Sequence, residues 1–504
     1  MTLPLFQSNL RGDGTDEPRV PRRIAVIGAG VTGLAAANRL LELQSETGRP
    51  IEVVLFEGSD RVGGVFGTER IGDYLVERGA DSFITTKPAA LALTRRLGLE
   101  NRVVSTNSQY RSSLIVSRGK PVATPKGFNL VAPGDLGAIM RTPLLSWAGK
   151  LRVLAEPLVP RRTDPSDESV ASFVRRRMGR EALDRLVQPL VGGIYTSDPE
   201  VLSAQTTLAR FVAMERDYGS LYRGLRASPS HSEGGGGVSG ARYGLFVSFR
   251  DGMQELLSGL EHKVRLHARV QTHSPVKSLR REGQEWILQT GAAAERFHGV
   301  VVCLSAPSAA RLLQSVSPDC ALPIGEIPCA SSAIVVTGHA LADIQHPLDA
   351  FGLVVPHREG RKILATSFLS RKFDNRAPAG RVCLRTFVGG AMQPEEYEKS
   401  DDEIVKTVLS ELKSILGVNG KPDFAVVCRY GQAMPQFHVG HAARVQEIRR
   451  RAESLGTVVL AGNYFDGVGV PDCVQSGEQA AELLLQRFES KKPETVGEGP
   501  RLSG

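Results

Sequence analysis

The residues best spaced for chemistry lie between Arg22 and Gly64. An apolar run from Ile24 to Ile27 leads directly into Gly28, Gly30 and Gly33, the spacing G-x-G-x-x-G, with Ala29, Val31 and Thr32 between them. An alanine-rich helical pattern, Leu34 to Leu43, comes next. This order of strand, glycines and helix holds a pyrophosphate. The first glycine allows the tight turn, the second lets a phosphate approach the backbone, and the third lets helix and sheet pack closely while helix N–H groups aim at the anion. A second strand, Ile51 to Phe56, ends in Glu57, whose carboxylate suits the hydroxyls of a ribose without a 2′-phosphate. The stretch therefore reads as a dinucleotide site.

The elements around this site come from a long chain. At 504 residues, with 41% hydrophobic and 23% charged residues, it is expected to form more than one domain of globular type. No apolar run is long enough to span a bilayer. The first twenty residues lack the pattern of a secretion signal and read as a tail. The net charge of +8 and a pI near 9.2 could serve nucleic acid, lipid or anionic substrates. The basic residues are dispersed, which argues against nucleic acid. Six cysteines without a C-x-x-C pair point to reduced thiols and a cytoplasmic setting, and no metal site is expected.

The residues after the second strand narrow the cofactor. Glu57-Gly58-Ser59-Asp60-Arg61-Val62-Gly63-Gly64 fits E-x-x-x-R-x-G-G, which resembles the extension found in flavin enzymes of the amine oxidase superfamily. The resemblance implies bound FAD. Further along, QPLVGGIYTSDP (188–199), FGLVVP (351–356), the run through RAPAG to TFVGG (376–390) and LAGNYFDGVGVPDC (460–473) are similar to the porphyrinogen oxidases of that superfamily, in the same order. Gln188, Asp251 and Val65 depart from the family spelling at their positions.

The likeness to porphyrinogen oxidases implies an α/β fold, in which a Rossmann-like FAD domain is joined by a mixed-sheet substrate domain and a helical insertion. It implies an FAD domain over 21–87, 249–310 and 431–488, a helical, membrane-associating domain over 88–205, and a substrate domain over 206–248 and 311–430. Tails occupy 1–20 and 489–504, and a polar glycine-rich stretch, 227–241, reads as a surface loop. By the same resemblance FAD is held non-covalently by the glycine turn, Glu57, Gly58, Arg61, Gly63, Gly64, Val276, Gly462, Val468, Gly469 and Val470. Gly193, Val354 and Phe387 line the macrocycle cavity, and Arg111 is the nearest cation for a propionate. The implied reaction is oxidation of coproporphyrinogen III or protoporphyrinogen IX to the porphyrin by O2, with H2O2 released, in haem biosynthesis.

Several alternatives stay open. Another oxidase or desaturase of the superfamily, or a non-catalytic FAD-binding protein, shares the cofactor motifs. A homodimer, a ferrochelatase-type partner and peripheral contact with the inner face of a membrane are left open by the resemblance. For that contact, the apolar residues of Met140 to Leu154 would rest on lipid while Arg141, Lys150 and Arg152 meet its anionic head groups; the same periodicity also fits helices packing into a core. Ser166 and Asp167 are expected to cap the next helix, and Val264 to Leu266 with Gln271 to Leu279 to form a strand pair.

Overall fold

The structure, a computed structural model, describes residues 21–227, 246–291 and 293–490. The first tail, all but residues 489–490 of the second, which continue the last helix, and nearly all of the glycine-rich loop lie outside them.

A continuous apolar strand must be covered on both faces. Four such strands and the short edge strand Arg269–Gln271 form one parallel sheet in the order Arg269–Gln271, Ile51–Phe56, Arg22–Ile27, Gly299–Val302, Val458–Leu460. Pieces of sequence more than 150 residues apart thus meet side by side. On one face lie three helices, Val31–Thr47, Gln254–His267 and Val470–Ser490. The first and last pack so closely that a Cβ on Gly477 would fall 2.2 Å from the Thr32 carbonyl oxygen.

Residues 264–266 correct the expected strand pair. Leu256, Leu257, Leu260 and Val264 are buried on one helical face, so the helix Gln254–His267 runs through Val264, and the strand beyond it is only Arg269–Gln271. Packing of that face outweighs the β-branched residues near the helix end.

A second sheet of seven strands stands against the first. Its order is Phe424–Pro435, Cys329–Ala340, Arg381–Gly389, Ala365–Phe368, Gly352–Val354, Leu114–Ser117, Lys120–Ala123, with neighbours antiparallel except the parallel pair Gly352–Val354 and Leu114–Ser117. The last two strands come from the stretch expected to be helical. Arg118 and Gly119 both adopt positive φ, 51° and 76°, between the paired residues Ser117 and Lys120. That two-residue turn matches the twist of a hairpin, and Leu-Ile-Val-Ser before it is a strand former.

Helices do fill 136–227, including Leu136–Arg141, Trp147–Leu154, Val170–Met178, Gln188–Tyr195 and Ala209–Tyr218. Phe211, Met214, Leu221 and Leu225 are buried in this helical cluster, so 206–227 packs with the helices and not as part of the substrate sheet. The cap of Val170–Met178 is Ser169, whose hydroxyl accepts from the Ser172 N–H. Ser166 instead bonds Asp164, and Asp167 accepts from the backbone of Gln205 and Gly440. Lys150 is buried with its ammonium 4.7 Å from the Trp147 ring centre, and the Arg152 guanidinium donates to the Arg176 and Arg177 carbonyls. The third cation, Arg141, is exposed with Asp135 3.9 Å away. Trp147, Leu151 and Leu158 are exposed apolar side chains, at 69%, 61% and 81%. Among the described residues no helix is long and apolar enough to cross a membrane.

Glu77 ties the sheets' connecting strand Tyr74–Glu77 to the helix Gln254–His267. Its carboxylate accepts from the Met253 N–H (2.9 Å) and the Thr68 hydroxyl (2.7 Å) in a fully buried place. Burial outweighs these bonds and pushes its pKa up to about 7. The folded state therefore binds more protons than the unfolded one between the ordinary glutamate range and pH 7, and stability falls as pH rises through that window. The loss amounts to on the order of 3 kcal/mol once both states are ionised. Chemical denaturation of wild type and Glu77→Gln at pH 5 and pH 8 checks this: the variant gains relative to wild type only at the higher pH.

Candidate functional site

The glycine turn comes directly after the first strand. Gly28 has φ 97°, and a Cβ there would meet the Cys303 carbonyl oxygen at 2.5 Å. Gly33 is tighter still, since its Cβ would fall 1.8 Å from the Gly28 oxygen. Gly30 is the opposite case, with no atom within 4 Å of an added Cβ. It caps the helix Val31–Thr47 without any side-chain hydrogen bond, which leaves the first-turn N–H groups of Val31, Thr32 and Gly33 without a cap. Uncapped donors beside an open glycine make an anion cradle.

Glu57 stands over this turn. One carboxylate oxygen accepts from the Ala29 N–H and the other from the Ser59 N–H and hydroxyl, each at 2.9 Å. A carboxylate has about four acceptor sites, so one lone pair beside the Ala29 bond remains for a ribose hydroxyl. The loop beyond closes back on the turn. Gly63 donates to the Ala29 carbonyl at 2.8 Å, and Gly30 and Gly63 form a parallel bridge. Arg61 holds the loop by donating to the Phe66 and Gly64 carbonyls at 2.8 and 2.9 Å. Its guanidinium thus shapes the loop backbone. Ser274 donates to the Glu57 carbonyl, and Gly58 packs on Pro275, which brings Val276, half-buried against the cluster of Phe56 and Ile27, alongside.

The C-terminal turn supplies the remaining expected contacts. Gly462 donates to the Ser476 hydroxyl (3.0 Å), and Gly469 to the Asp472 carboxylate (3.2 Å), which also pairs with Lys87 (2.6 Å). Val470 begins the long helix and is buried with the first-sheet cluster. Cys473 is buried, and burial pushes its thiol up to about 12, so it stays protonated. Val468, also expected among the cofactor residues, packs its side chain against the helical cluster and the second sheet.

The register of the second sheet organises the other wall. Val122, Ile115, Val354, Ala365, Phe387, Ile334 and Cys428 are successive partners across all seven strands, one row on one face. Neighbouring strands lie ~4.8 Å apart, so Val354 and Phe387 are ~10 Å from each other with Ala365 between. Val354, Ala365 and Phe387 share a cluster with Val468 and Tyr195, the last residue of the helix that carries Gly193. The structure thus brings Val354, Phe387, Gly193's helix and Val468 together, whereas Arg111 lies outside the cluster, just ahead of the strand Leu114–Ser117. Its Nε is buried without a hydrogen-bond partner. Ala365, Ile115 and Ile334 were not singled out in the sequence; the signal was available only as the register of an apolar row.

Arg385, two residues before Phe387 on the same face, has its guanidinium 4.8 Å from the Phe387 ring centre and donates to the Gly79 carbonyl. Asp81 faces it at 3.8 Å and accepts from Lys372 at 3.0 Å. Burial alone would raise the Asp81 carboxyl; Lys372 and Arg385 outweigh it and hold the pKa well below the usual carboxylate range. This knot ties the strand Arg381–Gly389 to the segment 79–82 that follows the strand Tyr74–Glu77.

Comparison with known proteins decides the family. The model of the flavin containing amine oxidoreductases matches residues 31–485. The chain belongs to that family. It is an oxidoreductase, and its cofactor is FAD. Within the family it is 31% identical over 466 residues to coproporphyrinogen III oxidase of Bacillus subtilis, covering 92% of this chain and 98% of that one. Protoporphyrinogen oxidase 2 of Arabidopsis thaliana is 29% identical, covering 94% of this chain and 96% of that one. A crystal structure from Exiguobacterium sp. 255-15, described as a protoporphyrinogen oxidase, superposes with a TM-score of 0.82 at 28% identity, over 93% of this chain and 99% of that one. The open space at Gly30, the uncapped helix start behind it and the remaining acceptor on Glu57 fit the chemistry of FAD's pyrophosphate and ribose.

Proposed function

We propose that the chain oxidises a porphyrinogen to the porphyrin in haem biosynthesis. The observation that carries this reading is the apolar row centred on Val354, Ala365 and Phe387, closed by Tyr195 and Val468. A wide, flat, apolar wall with one aromatic suits a tetrapyrrole face and keeps water from it. The relatives named coproporphyrinogen III oxidase and protoporphyrinogen oxidase support the same class of substrate. FAD, when bound, supplies the hydride chemistry, with molecular oxygen as the final oxidant and hydrogen peroxide as its product.

The residues of the chain bind, orient and shield. In this reading the glycine turn, Glu57 and the loop of Gly63 and Gly64 hold the dinucleotide end. The start of the helix Val470–Ser490 points its positive end toward charge that develops near Val468 and Gly469. Phe387 presents its ring to the macrocycle, and Arg385 fixes that ring from behind. The exposed trio Trp147, Leu151 and Leu158 forms the surface for peripheral contact with a membrane.

The test is porphyrin fluorescence in air, with coproporphyrinogen III and protoporphyrinogen IX offered side by side to the FAD-loaded protein. Turnover of at least one, with peroxide formed, is the expected result, and turnover of neither sinks the reading. In the same assay Phe387→Ala lowers kcat/KM by ~10- to 100-fold, the cost of about 1.5–3 kcal/mol of lost aromatic burial, while FAD absorbance stays. Unchanged kinetics would remove Phe387 from the cavity.

A further inference from the structure

Beyond the apolar row lies a cleft of about 80 Å³ lined by Arg118, Arg185 and Arg358, with Ile115, Pro356 and Glu359 among its other walls. Its position comes from the sheet. Along the strand Gly352–Val354 the Gly352 end is in register with Ser367 and Arg385, the residue bound to Gly79 and facing Asp81 of the cofactor side. The opposite end leads through Pro356 to His357, whose N–H donates to Gln188 of the helical group at 2.9 Å. Ile115, a member of the apolar row, lines the cleft itself, and Pro356 is two residues beyond Val354, ~7 Å along the strand. The cleft therefore continues the substrate wall at the end away from the cofactor.

Its charge is unbalanced. The Arg118 and Arg358 guanidinium groups make no hydrogen bond or close ion pair among the described residues, and Arg358 acts on Glu181 only through space. Arg185, on the π-helical turn Leu183–Val187, donates to the Leu144 carbonyl and pairs with Glu181, both at 3.2 Å. The nearby carboxylates are already engaged: Glu359 accepts from the backbone N–H groups of Arg118 (3.1 Å) and Gly119 (3.0 Å), and Glu181 from the N–H and hydroxyl of Ser146.

We infer that this arginine cleft is a carboxylate subsite for the propionate of a macrocycle edge turned away from the cofactor, which makes coproporphyrinogen III the preferred substrate over protoporphyrinogen IX. The inference rests on the porphyrinogen reading above. Coproporphyrinogen III carries propionates around its whole periphery, and arginine forks match carboxylates in bidentate fashion. Protoporphyrinogen IX carries them along one edge only. Its vinyl groups, placed in this cleft, would cover guanidinium groups without giving them a partner, and specificity arises from that penalty as much as from the attraction. Arg111, ahead of the strand Leu114–Ser117, stands at the other end of the wall, where the second set of propionates would lie.

The experiment uses the FAD-loaded protein and the stable products, coproporphyrin III and protoporphyrin IX, titrated by fluorescence into wild type, Arg118→Gln and Arg358→Gln. Each substitution is expected to weaken coproporphyrin III binding about 10-fold and to raise the KM for coproporphyrinogen III similarly, leaving protoporphyrin IX binding and FAD content unchanged. Both arginines are exposed, so neither substitution should disturb folding. Equal losses for the two porphyrins, or no loss for either, overturn the subsite while the porphyrinogen reading stands. Wild type that binds neither porphyrin and turns over neither porphyrinogen removes that reading, and the subsite with it.

Discussion

A protein carrying Gly30→Leu folds, yet is purified without its flavin. Gly30 has φ −69° and ψ −178°, an extended conformation open to any residue, and an added Cβ meets no atom within 4 Å. The fold has no use for the absence of a side chain there. The space it leaves is the cradle in front of the uncapped N–H groups of the first helical turn, and a leucine fills it. FAD affinity should fall ~100-fold or more, a loss of about 3 kcal/mol or greater. Two measurements check this: the ratio of flavin to protein absorbance after purification, and the rise in Tm on adding excess FAD, which comes from binding to the native state only and should vanish in the variant. Gly33→Leu is the contrast. Its Cβ would overlap the Gly28 carbonyl oxygen at 1.8 Å, so that variant loses the fold and the cofactor together. A yellow, fully loaded Gly30→Leu protein would rule out this cradle as the pyrophosphate site.

Asp81→Asn lowers stability by about 3–5 kcal/mol, the expected cost of removing one partner from a buried ionic group. Asp81 is buried and accepts from Lys372 through both oxygens at 3.0 Å, from the Ser82 hydroxyl at 2.7 Å, and faces Arg385. The amide keeps the shape and removes the charge that two buried cations face. Lys372 and Arg385 hold the carboxyl below its ordinary pKa, so the native state binds fewer protons than the unfolded one. The contribution is complete above the unfolded carboxylate range, near pH 4, and is lost only as the pH falls through the lower folded value. Denaturant melts at pH 7 should show the deficit, and acidification should narrow it. Turnover should fall beyond what stability explains, because Arg385 sets the Phe387 ring against the cavity.

Local chemistry is what the sequence carried well. The strand Ile51–Phe56 ends where an apolar run meets Glu57, and Gly33 is demanded by the Gly28 carbonyl five residues before it, although the Gly28 turn itself is closed by the distant Cys303. Such short-range constraints have few solutions, so their spelling is readable. The extent of helices was less so. Val264 belongs to a helix because Leu256, Leu257 and Leu260 share its buried face, and the long C-terminal helix starts at Val470 because Val470, Cys473 and Val474 pack into the first-sheet cluster.

The apolar row proposed as the substrate wall is a product of tertiary packing. Val354 and Phe387 could be named from their segments, but nothing local says that Ile115, Ala365 and Ile334 stand in the same row, since a strand's register is chosen by its partners. The hairpin of Leu114–Ser117 and Lys120–Ala123 joins a sheet built mostly from residues beyond 329, through a parallel pairing that no neighbouring residue announces. Asp81, Lys372 and Arg385, like Arg118, Arg185 and Arg358, are ordinary surface-type residues in a linear text. They become a buried knot and a basic cleft only when strands hundreds of residues apart are set ~4.8 Å from one another. The cofactor turn, the family and the alternating strands could be read from the order of residues; which side chains face each other across the cavity was settled by the folded chain, because burial and charge pairing exist only once it is packed.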